Sequence, residues 1–273
     1  MRSKAATLRF QVESALAGRL PSPFEYHDRR IVETVSAGIP GIDDLTGGLP
    51  RGSLTEICGP PCSGRTSFLI STLASRTAAS EVCALVDARD AFDPRSAQTA
   101  GVKLDQLVWV RCHNVDQALR ATDLLIQGGG FGLIALDLCD APPRLVRSVP
   151  LPVWFRFRRA VEYTPTILLV LDQESNAKSC ASLVLRLRTE ETWWSQTSDA
   201  DAAAWPHSPG LLLDGWKSCA ERIRSSAKQR EPVAPAESRS ESTGFEMQTI
   251  WNASSDSHTT PGRGVSEGAR RKR

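Results

Sequence analysis

The stretch Gly59-Pro60-Pro61-Cys62-Ser63-Gly64-Arg65-Thr66 sets two glycines, a cation and a hydroxyl in an order suited to holding phosphates. It matches the pattern G-x-x-x-x-G-K-S/T at every place but one. In that pattern the glycines let backbone N–H groups curl round the phosphates, the Lys reaches the terminal phosphates and the hydroxyl holds Mg²⁺. Here Arg65 stands where Lys is expected. Arg keeps the charge but is a longer, planar fork rather than a compact point charge, so the exchange changes how terminal phosphates are gripped. The expected phosphate-binding set is Gly59, Pro60, Ser63, Gly64, Arg65, Thr66 and Ser67, with Thr66 also on Mg²⁺. A second carrier of chemistry is Asp137, at the end of the apolar run Phe131–Leu136. Such a run suits a buried parallel strand, and a carboxylate at its end sits where it orders a Mg²⁺ shell through water. The plainer alternative is that Asp137 caps the turn before Ala141-Pro142-Pro143.

These groups need elements to position them. Ser53–Cys58 alternates and is rich in strand formers; Ser67–Ala74 carries Phe68, Leu69 and Leu73 at helical spacing. Strand, glycine loop and helix in that order aim N–H groups and a helix N-terminus at an anion. Further strands are expected over 81–87, 106–110, 131–137, 166–171, 181–188 and 211–213, with helices over 115–127 and 154–162. The alternation argues a mostly parallel, doubly wound α/β sheet. Before it, residues 4–20 read as an amphipathic helix with Leu8, Val12 and Leu16 on one face. The expected organisation is a helical lead over 1–30, a nucleotide-binding domain over 31–218, and a basic tail over 219–273. That tail is poor in large apolar residues and is expected to be disordered.

The chain has 273 residues, enough for one sizeable domain with extensions, and a net charge of +2. That balance hides 27 Arg against six Lys, with clusters at Arg156, Arg158 and Arg159 and at Arg270-Arg271-Lys272-Arg273. Such runs are solvated faces or nucleic-acid contacts. Trp193 and Trp194 are core or interface residues, or stack on bases. The seven scattered cysteines imply neither a disulfide framework nor a zinc site. No signal core or membrane-length apolar run occurs, so the expectation is a soluble, cytoplasmic protein.

With these segments assembled, the chain resembles the bacterial RecA recombinase family. The resemblance is carried by Val35–Asp43, Gly47–Gly52, the loop Gly59–Thr66, Val86–Pro94 and Gly101-Val102, with the Asp137 strand and Leu171-Asp172-Gln173 in the right order. It spans roughly residues 31–190, and in size and style is nearer to the shortened RecA-like accessory proteins of mutagenesis operons, the ImuA and SulA-related group. The resemblance implies a RecA-like P-loop NTPase domain with ATP and Mg²⁺ as cofactors. It also implies Gln173 as sensor of the terminal phosphate, and a role in DNA repair, recombination or the SOS response. The partners it implies are single-stranded DNA through basic residues and a RecA filament or translesion polymerase. Self-association through the N-terminal helix is a further expectation.

Four departures, at the Lys, the Glu, the adenine stack and the DNA loop, stand against full activity, and Arg65 at the Lys position is the first. The family's catalytic Glu falls at Arg89, a cation in place of a water-positioning carboxylate. The adenine-stacking aromatic corresponds to Ser96. The DNA-binding loop after Gln173 is reduced to little more than Asn176-Ala177-Lys178, and the segment between Asp137 and Ile167 is short. Three readings stay open. The chain binds nucleotide and hydrolyses it poorly, or it is an unconventional DNA-dependent ATPase using Asp90 or Asp172 as base. In the third, it is a docking module with a vestigial site, using the 4–20 helix or the Arg156/Arg158/Arg159 face.

Overall fold

The structure, a computed structural model, describes residues 32–196, 211–225 and 242–248. The expected 4–20 helix and the Arg270–Arg273 cluster lie outside the described residues. A short antiparallel pair, β1 (Thr34–Val35) and β2 (Leu49–Pro50), flanks helix α1 (Pro40–Thr46). The core then alternates: β3 (Ser53–Cys58), α2 (Arg65–Ala78), β4 (Cys83–Asp87), α3 (Pro94–Thr99), β5 (Leu107–Arg111), α4 (Val115–Gly128) and β6 (Leu133–Asp137). After α5 (Pro143–Arg147), α6 (Leu151–Val161) and β7 (Ile167–Asp172) come three strands, β8 (Leu183–Gln196), β9 (Leu211–Ser225) and β10 (Ser242–Gln248).

These strands form one eight-stranded sheet in the order β10-β9-β8-β3-β7-β6-β4-β5. Every pairing from β8 to β5 is parallel, while β8–β9 and β9–β10 are antiparallel. The mostly parallel sheet expected from the alternation is what forms. Period-two strands divide their side chains between two layers. Ile57, Leu85, Ala135, Leu169 and Leu185 face α1 and α2, where Ile42, Phe68, Leu69 and Leu73 are buried. Leu54, Ala84, Ile134, Leu168 and Val184 face α4 and α6, against Leu119, Trp154 and Phe157. Both faces are thus covered, as a parallel sheet requires. Each large side chain buried in this way stabilises the fold by about 1.5–3 kcal/mol.

The boundary expected at 218 is corrected. β9 continues to Ser225, and β10 falls inside the stretch expected to be disordered. Ala220 and Phe245 anchor these two strands in the core.

Among the described helices, α2 starts differently from the rest. Asp93 caps α3 by accepting from the N–H groups of Arg95 and Ser96, and Asn114 caps α4 by accepting from that of Gln117. α1, α5 and α6 carry Pro in the first turn. α2 follows Gly64, has no side-chain cap and no acid in its first turn. Its first N–H groups are therefore left for another acceptor.

Candidate functional site

The glycine loop joins the C-terminal end of β3 to the uncapped end of α2. Gly59 lies against β8, where a Cβ would stand 2.4 Å from the Leu187 carbonyl oxygen and 2.6 Å from Ser63 Oγ. Gly64 has φ +92°, and a Cβ there would meet Ser218 Oγ at 2.9 Å. Both positions exclude a side chain, for contact at the first and for contact and backbone conformation at the second. Cys62, at the tip, also adopts a left-handed backbone, with φ 61°. Such strain in a non-glycine residue is a feature of ligand-holding loops. Thr189 Oγ1 donates to the Cys62 carbonyl at 2.5 Å and ties the tip to β8.

Of the expected phosphate ligands, Ser63 and Arg65 are buried, Pro60 and Thr66 are exposed, and Ser67 is half-buried. Ser63 Oγ and Arg65 Nη1 are buried with no hydrogen-bond partner among the described residues. With the uncapped α2 N-terminus, these unpaired groups fit the phosphate part of a nucleotide. On the base side, Ser96, where the resemblance implies an adenine-stacking aromatic, instead donates to Asp93 at 2.5 Å and serves the α3 cap.

The strand register lines up the carboxylates. Cys58 stands opposite Asp172, and Asp137 opposite both Leu171 and Asp87. Asp172, Asp137 and Asp87 thus lie on adjacent strands at the carboxyl edge of the sheet, where open α/β sheets bind ligands. Burial holds the Asp137 carboxyl above its ordinary range, against the opposing pull of the Cys139 N–H it accepts at 2.9 Å. The neighbouring Asp87 and Asp140 charges push it the same way as burial. A divalent cation bound there would favour the ionised form. Among the described residues no group of three or more His, Cys, Asp or Glu gathers as a metal site by itself. If Mg²⁺ binds here, Thr66 and Asp137 would supply at most two ligands, with water and phosphate completing the shell, as is common for Mg²⁺.

Gln173 donates through Nε2 to the Cys139 carbonyl at 3.0 Å. The Cys139 backbone thereby links Asp137 to Gln173, a connection with no sequence signal. Asp87 accepts from the N–H groups of Arg89 and Phe92, at 3.1 and 2.9 Å, and leaves the Arg89 side chain exposed. Of the two alternative bases, Asp90 forms a two-pronged pair with Arg111, at 2.6 and 2.5 Å, which holds its carboxyl low. Asp172 is 2% exposed, and burial raises its pKa to about 6, against hydrogen bonds from the Gln173 N–H and Asn176 Nδ2. The Glu56 charge raises it further and Arg65 opposes. Of the two, Asp172 is thus the carboxyl whose pKa lies nearer neutrality.

This shift carries a pH signature. Unfolded, Asp172 ionises near pH 4; folded, it keeps its proton until about pH 6. Between those values the folded state binds more protons, so its contribution to stability falls as pH rises. Denaturant melts of wild type and Asp172→Asn from pH 4 to 7 are expected to diverge across this window, with only the wild type losing stability through this site. Parallel curves would contradict it.

Sequence reasoning missed Glu56. It is fully buried within β3 and accepts from Ser175 Oγ at 2.5 Å and from the Asn176 and Ala177 N–H groups at 2.6 and 2.9 Å. It fastens the short connection between β7 and β8, where the reduced loop was expected. A charged residue two places from both Leu54 and Cys58 was the available signal. The arginine cluster is partly committed: Arg156 pairs with Asp123 at 3.1 Å and Arg158 donates to the Ser179 carbonyl at 3.2 Å, while Arg159 is exposed. Trp193 is half-buried and Trp194 is 55% exposed. No described helix is long and apolar enough to cross a membrane.

Residues 23–144 match the family model of the RecA N-terminal domain. Protein RecA of Pseudomonas fluorescens is 38% identical over 113 residues, which cover 41% of this chain and 32% of that protein. Protein RecA of Methylobacterium radiotolerans is 43% identical over 108 residues, 39% of this chain and 30% of that protein. The chain thus spans about a third of the length of the RecA proteins it matches, and over that segment it is RecA-like. A solved KaiC-like protein from Pyrococcus horikoshii superposes with a TM-score of 0.51 at 17% identity, covering 74% of this chain and 93% of that one. The fold is that of a RecA/KaiC-like P-loop domain.

Proposed function

We propose that this chain is a RecA-like nucleotide-binding protein of bacterial DNA repair or recombination, including damage-induced mutagenesis, which binds ATP with Mg²⁺ and turns it over poorly. The observation that carries this reading is that Ser63 Oγ and Arg65 Nη1, beside the uncapped start of α2, are buried with no partner among the described residues. Gly59 and Gly64 admit the phosphates, Ser63 and Arg65 donate to them, and Thr66 and Asp137 hold Mg²⁺. Gln173, linked to Asp137 through the Cys139 backbone, would register the terminal phosphate. When bound, Mg²⁺ neutralises phosphate charge. Poor turnover follows from Arg89, since a guanidinium accepts no proton from water. Contact with single-stranded DNA would run through Arg159 and the other arginines, dominated by phosphates and steeply salt-dependent.

Calorimetric titration with Mg²⁺-ATP and a slowly hydrolysed analogue tests the reading. Saturable binding is expected, weakened by about tenfold or more in Thr66→Ala. Absence of binding up to millimolar nucleotide would retire it. A second reading, a docking module for a polymerase or recombinase filament, is favoured by the Thr189–Cys62 bond, which braces the loop within the chain itself. DNA-stimulated turnover abolished by Asp137→Ala would instead favour the unconventional ATPase.

A further inference from the structure

We propose that β9 completes the phosphate site: the Trp216 indole N–H and the Ser218 hydroxyl donate to the same phosphoryl oxygens that the glycine loop receives. The proposal rests on the nucleotide reading and deepens it by assigning two binding residues from outside the loop.

Ser218 is fully buried, and its Oγ lies 2.9 Å from the point a Cβ on Gly64 would occupy. Trp216 Nε1 lies 3.6 Å from the same point. Two residues apart on a strand, they share one face of β9, and that face is turned to the loop. Both atoms are buried with no partner among the described residues, as are Ser63 Oγ and Arg65 Nη1 on the loop itself. Among the described residues, four buried polar atoms are thus unpaired on the two chain neighbours of Gly64 and the strand against it. Native structures hold few such atoms, and each needs an account.

The chemistry of the four narrows that account. An indole N–H and a guanidinium donate and accept nothing, so they cannot satisfy each other. Hydroxyls can donate as well. One partner able to serve all four is an acceptor with several oxygens, and a phosphoryl group has that form. The uncapped start of α2 adds a favourable dipole for negative charge at the same place. A nucleotide's terminal phosphoryl and free inorganic phosphate share this chemistry.

The test uses the full chain as wild type, Ser218→Ala and Trp216→Phe, titrated separately with Mg²⁺-ATP and with inorganic phosphate. Each variant is expected to bind the anion about tenfold or more weakly. Without ligand Ser218→Ala should melt no lower than wild type, because it removes a donor with no partner among the described residues; Trp216→Phe also loses ring volume and is read by binding and its indole signal. The Trp216 indole N–H gives one of seven indole signals in a ¹⁵N spectrum, identified by its loss in Trp216→Phe, and should shift when the anion is added. Weakened binding of both ligands would show a site for a lone phosphoryl group; weakened binding of ATP, with phosphate not bound at all, would show one specific to nucleotide. Either supports the proposal. Variants that bind like wild type, with an unmoved indole signal, would overturn it and leave the nucleotide reading standing. A wild type that binds neither ligand would overturn both.

Discussion

Glu56→Ala is expected to cost about 3–5 kcal/mol of stability, among the largest effects of any single side chain here. The carboxylate is fully buried in the central strand, and three donors depend on it: one hydroxyl and two backbone N–H groups. Truncation leaves the buried Ala177 N–H and the half-buried Asn176 N–H without an acceptor, at about 1–3 kcal/mol each, while the hydroxyl of the exposed Ser175 can turn to water. At roughly 2–4 °C per kcal/mol, Tm should fall by about 10 °C. Glu56→Gln separates charge from hydrogen bonding. Oε1 already takes both backbone N–H groups, so the amide oxygen can replace it. Oε2 accepts from Ser175, whose hydroxyl can turn and accept from the amide nitrogen instead. The Gln variant should therefore stay within about 1 kcal/mol of wild type. Thermal and urea melts of the two variants check this, and an Ala variant that melts with the wild type would refute it.

The second large effect is loss of nucleotide binding in Gly59→Ala. The added Cβ would press on the Leu187 carbonyl oxygen at 2.4 Å. Leu187 cannot retreat freely, because β8 is paired with β3 on one side and, through Leu187 opposite Ala220, with β9 on the other. The loop must move instead, taking Ser63 with it. A displacement of about 1 Å in a positioned site can cost a hundredfold, so Mg²⁺-ATP affinity should fall by about that factor or more. Overpacking should also cost about 1–3 kcal/mol of stability. Gly128→Ala is the control: a Cβ there meets nothing within 4 Å, so neither quantity should fall. Calorimetry and melts on the two variants decide it; nucleotide binding preserved in Gly59→Ala would count against a phosphate-holding loop.

Much of this arrangement is legible in the sequence. The spacing of Gly59 and Gly64 between an alternating strand and a helical run located β3, the loop and α2. The apolar run ending at Asp137 located β6. Periodicity reports which faces are apolar, however, and says little about what a buried polar group touches. Glu56 looked like one polar place in an alternating strand, and its partners lie 119 to 121 residues further on. β9 and β10 escaped for a different reason. Beyond 218 the chain is rich in Ser, Arg and Glu, and these antiparallel strands hold their place largely by backbone pairing, with few anchors such as Ala220 and Phe245. Composition reads such a segment as unable to fold, because the pairing edge that orders it belongs to β8. The proximity of Trp216 and Ser218 to the loop is tertiary in the same sense.

The position of β3 in the sheet also bears on the order in which the molecule is built. β4, β5 and β6 pair among themselves with short crossovers between them, whereas β3 lies between β7 and β8, both encoded more than 100 residues after it. During synthesis, the strand that carries the glycine loop is made before its partners and waits for them. Closing so long a loop has an entropic cost that local pairings avoid. The β4–β6 unit is thus free to assemble first, and β3 gains neighbours on both sides only when β7 and β8 arrive. Glu56 then fastens the connection between those two strands. A chain shortened before β8 would keep every residue of the phosphate loop and still lack the wall against which that loop takes its shape.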